Sequence, residues 1–226
     1  MVKTKVIISA ISIIIVLLIG IMSFFIPSNI SDMITGKTTV TRAFIHESLP
    51  TNCTVELKQG INMVSFPCET GERGFKEALS DKNGTQLTFN SVFFFRAEDR
   101  ETPWRSYNPK LPNWTTQHKP NSIDRTRGYF IYMEESGTYE AEGLQFPISN
   151  IQLREGWNLV GYPSNTTLNT EDAIDSIKNV FASIHTYKEG EWMHYKNNTE
   201  GDLTHIEPGR AYWIRVKEDA VWRINW

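Results

Sequence analysis

The feature that most limits what this chain can fold into is an internal duplication. Gln59–Pro67, QGINMVSFP, and Glu155–Pro163, EGWNLVGYP, share Gly-x-Asn-x-Val-x-x-Pro in register. Later segments repeat in the same order: RGYFIYM from Arg127 corresponds to GRAYWIRV from Gly209, matching Arg127 with Arg210, Tyr129 with Tyr212, Phe130 with Trp213 and Ile131 with Ile214. Trp104 likewise matches Trp192, and Tyr107 matches Tyr195. With 226 residues in all, the duplication divides the chain into two small modules, 49–145 and 146–226. Modules of that size bury modest cores, for which a covalent staple is useful.

An apolar stretch precedes the modules. Val6–Ile26 contains no charge, and at about 1.5 Å rise per residue it reaches roughly 30 Å, enough for a bilayer core. It exceeds the usual apolar length of a secretory signal and lacks a small-residue cleavage site, so 1–26 reads as an uncleaved transmembrane anchor. Lys3 and Lys5 lie before it and the next basic residue is Lys37, which leaves the N-terminus in the cytoplasm and places the modules outside the cell. Residues 27–48 read as a stalk, in which Thr39–His46 alternates like a strand. Two features agree with export. Asn-x-Ser/Thr sites occur at Asn29, Asn52, Asn83, Asn113, Asn165 and Asn197, all beyond the anchor. Cys53 and Cys68 are the two cysteines of the chain, and a hairpin turning at Gly60–Ile61 would set them face to face for a disulfide.

Alternation and turn residues make both modules mainly antiparallel β, each with one short helix, an α+β pattern. Phe75, Ala78 and Leu79 have helical spacing in the first module. Thr170–Val180 does so in the second, with Asn169 or Thr170 as the cap. SVFFFRA, from Ser91, reads as a buried strand, and FASIHTYKEGEWMHYK, from Phe181, as a hairpin around Glu189-Gly190.

GWNLVGYP followed by GRAYWI resembles the GWN-type repeats of extracellular archaeal and bacterial proteins, including surface-layer-associated ones. That resemblance implies a β-rich cell-surface module and brings no catalytic residues. The first module departs from it, with Ile61 in place of the usual Trp and with the cysteine pair.

The residues point away from catalysis and from cofactors. Gly-x-Ser-x-Gly is missing, and the carboxylates Glu134, Glu135, Glu140, Glu142, Asp172 and Asp175 fall in runs typical of solvated faces. His185 and His194 would face each other across the second hairpin, with His205 as a possible third metal ligand, but the matching positions in the first module are Phe and Ser, so a polar edge pair is the expectation. A net charge of −3 gives no basic footprint for nucleic acid. The seven Trp, eight Tyr and twelve Phe are the better lead, because aromatic faces stack on sugars and anchor protein contacts. Aromatics present in both modules are expected to be scaffold. The unmatched Trp114, with Lys110, His118 and Lys119, is the expected contact patch. The expected partners are the lipid bilayer through the anchor, and envelope proteins or glycans through the modules. Adhesion or envelope structure is the leading role, and an anchored carbohydrate-binding or carbohydrate-active protein the alternative.

Overall fold

The computed structural model describes residues 48–71, 75–111, 123–197 and 201–225. The apolar N-terminal segment, the stalk strand, Asn29, Asn113, Trp114, His118 and Lys119 lie outside the described residues. Among the described residues no helix is long and apolar enough to cross a membrane.

The architecture is mainly β, built from antiparallel sheets. In the first repeat, β1 (Leu49–Leu57) pairs with β6 (Gly137–Gln145) as a two-stranded ribbon. The strands β2 (Gly60–Val64), β3 (Phe89–Phe95), β4 (Trp104–Tyr107) and β5 (Tyr129–Met133) form a sheet in the order β2-β5-β3-β4. The second repeat has the same plan. There β7 (Ile148–Leu153) pairs with β14 (Ala220–Asn225), and β8 (Gly156–Gly161), β10 (Phe181–Lys188), β11 (Glu191–Lys196) and β13 (Ala211–Val216) run in the order β8-β13-β10-β11. A further short ladder joins β9 (Leu168–Asn169) to β12 (His205–Ile206).

Each ribbon lies over the inner face of its own four-stranded sheet. Val55, Leu57 and Tyr139 from the first ribbon meet Val92, Phe94, Tyr129 and Ile131, all buried. Trp222 holds the place of Tyr139 in the second core, fully buried, with its indole Nε1 donating to Ala173 O at 2.6 Å. Among the described residues α-helix is confined to single turns, α1 (Phe75–Ala78) and α2 (Thr170–Ala173). Asn169 caps α2, its side chain accepting from Glu171 N at 2.9 Å. The expected longer helix breaks at Ile174 and resumes as a 3-10 turn over Asp175–Ile177.

The expected hairpin at Gly60 is not formed. β1 and β2 belong to different sheets, so the chain turns between layers as an arch. The motif explains why. Gly60 takes φ +92, and Asn62 folds back over the turn, accepting from Lys58 N at 2.8 Å and donating to Lys58 O at 2.7 Å. The repeat is faithful: Gly156 has φ +96, and Asn158 accepts from Arg154 N at 2.8 Å and donates to Arg154 O at 2.8 Å. An asparagine amide thus takes the donor and acceptor that a hairpin partner strand would have used. By contrast Glu189 and Gly190 both have positive φ (55 and 96), the conformation of a two-residue hairpin turn, and there β10 and β11 do pair directly.

Cys53 and Cys68 form a disulfide with Cα atoms 6.1 Å apart. It ties β1 to the segment leaving β2, where Glu69 bridges Leu144 of β6. The bond locks the arch between layers rather than the mouth of a hairpin.

The repeats meet reciprocally. Val64 bridges Arg210 while its counterpart Val160 bridges Arg127, the counterpart of Arg210. Ser65 N donates to Gly209 O at 3.0 Å, and Gly161 N donates to Thr126 O at 2.9 Å. Such exchange, in which each repeat offers the other the same surface, is the pattern of a two-fold relation. Near its centre, Gly128 leaves only enough room for Ala211: a Cβ there would lie 2.8 Å from Ala211 Cβ. Met63, Leu159 and Ala211 form a third buried cluster in the seam.

Two stability outcomes follow. Asn158→Ala lowers the unfolding free energy by about 2 kcal/mol in urea denaturation, because the buried amide's partners lose their bonds. Asn62→Ala, at the more exposed arch, costs less. Reducing the disulfide, which closes a separation of 15 residues, lowers stability by about 3 kcal/mol in the same assay.

Candidate functional site

Side chains alternate along each strand, so the four-stranded sheets also have outer faces, and these carry the aromatic surplus. SVFFFRA is not a fully buried strand: Val92 and Phe94 point into the core, whereas Phe93 is exposed and Phe95 packs in the seam. Across the pairing, Phe93 lies between Phe130 and Ser106, and Ser91 beside Tyr132, which itself neighbours Ile61. In the second repeat His185 lies between Trp213 and His194, and Arg215 between Ser183 and Trp157. The two faces are therefore built from equivalent positions.

They meet at the seam in a continuous aromatic surface. Trp213 stands 5.8 Å from Trp104, 5.1 Å from Phe95 and 6.1 Å from Trp157, ring centre to ring centre, all edge to face. Tyr187 packs on Trp192 at 5.4 Å. A groove of about 730 Å³ lies over the first face, lined by Ile61, Phe93, Trp104, Phe130 and Tyr132 and walled by Tyr187 and Trp192 from the second repeat. A smaller hollow of about 400 Å³ adjoins it over Trp157, His185 and Trp213, and shares Trp192. Trp104 and Trp192 are 50 % and 53 % exposed. Leaving half an indole in water forgoes about 2 kcal/mol of burial, so a face with several such rings is costly to keep bare.

Trp104 and Trp192, expected to be scaffold because both repeats have them, are instead the most open rings of this face. Duplication marked true scaffold at Tyr129 and Tyr212. Each is fully buried, each hydroxyl accepts from a backbone N–H five residues earlier, of Asp124 at 2.8 Å and of Glu207 at 2.7 Å, and burial pushes both phenols far up. The alternation of Phe93 and Phe95 against Val92 and Phe94 was the sequence signal for the outer face.

Other expected residues fall elsewhere. Lys110 is exposed and ion-paired with Glu134. Asn52, Asn83, Asn165 and Asn197 are exposed, and none lines the groove or the hollow. Asn165 is engaged, donating to Gln145 Oε1 at 2.6 Å and Thr51 Oγ1 at 3.2 Å. His185 and His194 do face each other, with ring centres 5.8 Å apart. His194 Nδ1 lies 3.3 Å from Asp202 Oδ1, a neighbour the spacing gave no way to place. His205 pairs with Asn169 on the short ladder instead, and among the described residues no three metal-ligating side chains converge. Glu135 accepts from Thr88 Oγ1 and Asp175 pairs with Lys178, both away from the aromatic face.

No family model, curated protein or solved structure matches this chain.

The His185 imidazole is held below its ordinary 6.5 by burial first, then by His194 and Lys196, against an opposing pull from Asp202. Just below pH 6.5 the unfolded chain therefore binds more protons at this site than the folded one, and stability falls as pH drops through that window. Urea midpoints measured from pH 7.5 down to 5 show this loss, and His185→Gln makes the profile flatter.

Proposed function

We propose that this chain is a single-pass surface protein, N-terminus inside, displaying two tandem β modules that contact envelope proteins or glycans without doing chemistry. The observation that carries the reading is the aromatic groove across the seam, with Phe93, Trp104, Tyr132 and Trp192 exposed on one face. An exposed apolar face of this kind marks a contact surface rather than an ordinary solvated one. The uncharged Val6–Ile26 supports the anchor and the cysteine bond supports an oxidising exterior. The shared Gly-x-Asn motif supports the likeness to GWN-type surface repeats.

Binding is favoured over the carbohydrate-active alternative by the lining itself. No carboxylate lines the groove or the adjoining hollow among the described residues, so nothing there is placed to act as acid and base on a glycosidic bond.

Protease treatment of intact cells carrying a C-terminally tagged chain is expected to remove the tag and leave a short membrane fragment. A protected tag overturns the topology. The purified soluble modules are expected to bind isolated envelopes, and Trp104→Ala with Trp192→Ala to weaken that binding tenfold or more while leaving the thermal midpoint within a few degrees.

A further inference from the structure

The two outer faces occupy equivalent positions, so their differences are informative. In the first repeat the row farthest from the seam reads Ser91, Tyr132 and Ile61, all uncharged, and Asn108, the counterpart of Lys196 in sequence, directly follows β4. In the second the same row reads Lys196, Ser183, Arg215 and Trp157. One row nearer the seam, Ser106 and Phe93 become His194 and His185. The second face has thus acquired cations at the places where the first has neutral groups, beside an exposed indole.

Among the described residues neither Lys196 nor Arg215 forms an ion pair. The Arg215 guanidinium instead lies over the Trp157 ring, 5.8 Å from its centre. Arg215 also borders a hollow of about 560 Å³ to which Arg100 and Lys217 contribute, with Glu155 the one acid in that lining among the described residues. Asp202 is taken up by His194, whose backbone N–H it accepts at 2.5 Å. A patch with this surplus stands out on a chain whose net charge is −3.

Lys196 and Arg215 sit on β11 and β13, separated by β10, and therefore about 10 Å apart along the sheet. The residue between them is the small Ser183. Two long flexible side chains at that spacing can reach over a serine to one anionic group, with Arg215 leaving its place over Trp157 and baring a flat apolar face beside it. An indole against a cationic clamp matches a ring with one C–H face and an acidic substituent.

We infer that the outer face of the second repeat is a subsite for acidic glycans, with a uronic-acid ring stacked on Trp157 and its carboxylate held between Arg215 and Lys196. The inference rests on the reading of the aromatic surface as a contact surface, and assigns its charged end. The neutral face over Phe93 and Trp104 would then take the uncharged part of the same chain.

The test is calorimetric titration of the disulfide-intact modules with a galacturonate hexamer, a neutral galactose hexamer and inorganic polyphosphate. Expected are binding of the uronate at least tenfold tighter than the neutral sugar, and a tenfold or greater loss with Arg215→Gln and with Trp157→Ala. Lys178→Gln, an exposed cation paired with Asp175 away from the aromatic face, leaves uronate affinity within twofold. Equal affinity for the neutral sugar, or no effect of Arg215→Gln, overturns the carboxylate clamp. Polyphosphate binding as tightly as uronate, and unaffected by Trp157→Ala, overturns the sugar site in favour of a plain anion surface. If no uronate binds while Trp104→Ala and Trp192→Ala still weaken envelope binding, the acidic-glycan inference falls and the contact-surface reading stands.

Discussion

Both repeats depend on one asparagine. Where the chain leaves the ribbon and enters the larger sheet it must reverse without a partner strand, leaving a backbone donor and acceptor with nothing to bond. Asn62 and Asn158 supply both, from a single amide, to Lys58 and Arg154. Glycine two residues earlier permits the positive φ that swings the chain between layers. With the arch closed, apolar residues before and after it face one another across a core, which is what makes a two-layer module from so short a chain. The first repeat adds the disulfide at the same corner, and the second adds Trp222 with its indole bonded to Ala173 O.

The outer faces follow from how the repeats meet. Only the parts of each sheet nearest Gly128 and Ala211 are covered, since these two small residues allow the backbones to approach there. The remainder of each face slopes away into solvent with its rings uncovered. Scaffold demands hold the inner faces alike, with tyrosine hydroxyls on the same backbone amides in both copies. The outer faces carry no such demand and have diverged, one apolar and one cationic.

The sequence made the repeat legible because the arch needs particular residues, Gly and Asn, at fixed spacing. It also made the second hairpin legible, since Glu189-Gly190 carries both residues of its turn chemistry. The same reasoning failed at Gly60, where a lone glycine between alternating strands looks identical in a hairpin and in an arch. What separates the two is the destination of the Asn62 amide, which no periodicity records. Helix length was overestimated because apolar spacing continues past Ile174 through a 3-10 turn. The aromatic face was hidden by an assumption: residues repeated in both copies were equated with core, whereas Trp104 and Trp192 repeat on the surface. The charged row was invisible until pairing brought Lys196, Arg215 and Trp157, distant in sequence, onto one row.

The reciprocal seam also sets how many copies can associate in this manner. Because each repeat presents the same strand edge that it receives, the first uses up the second's docking surface and the second uses up the first's. A third copy would find neither Val64 nor Val160 free. The arrangement is a closed pair rather than a link in a chain, so lengthening such a protein by duplication proceeds two repeats at a time, and its reach grows in steps of a pair.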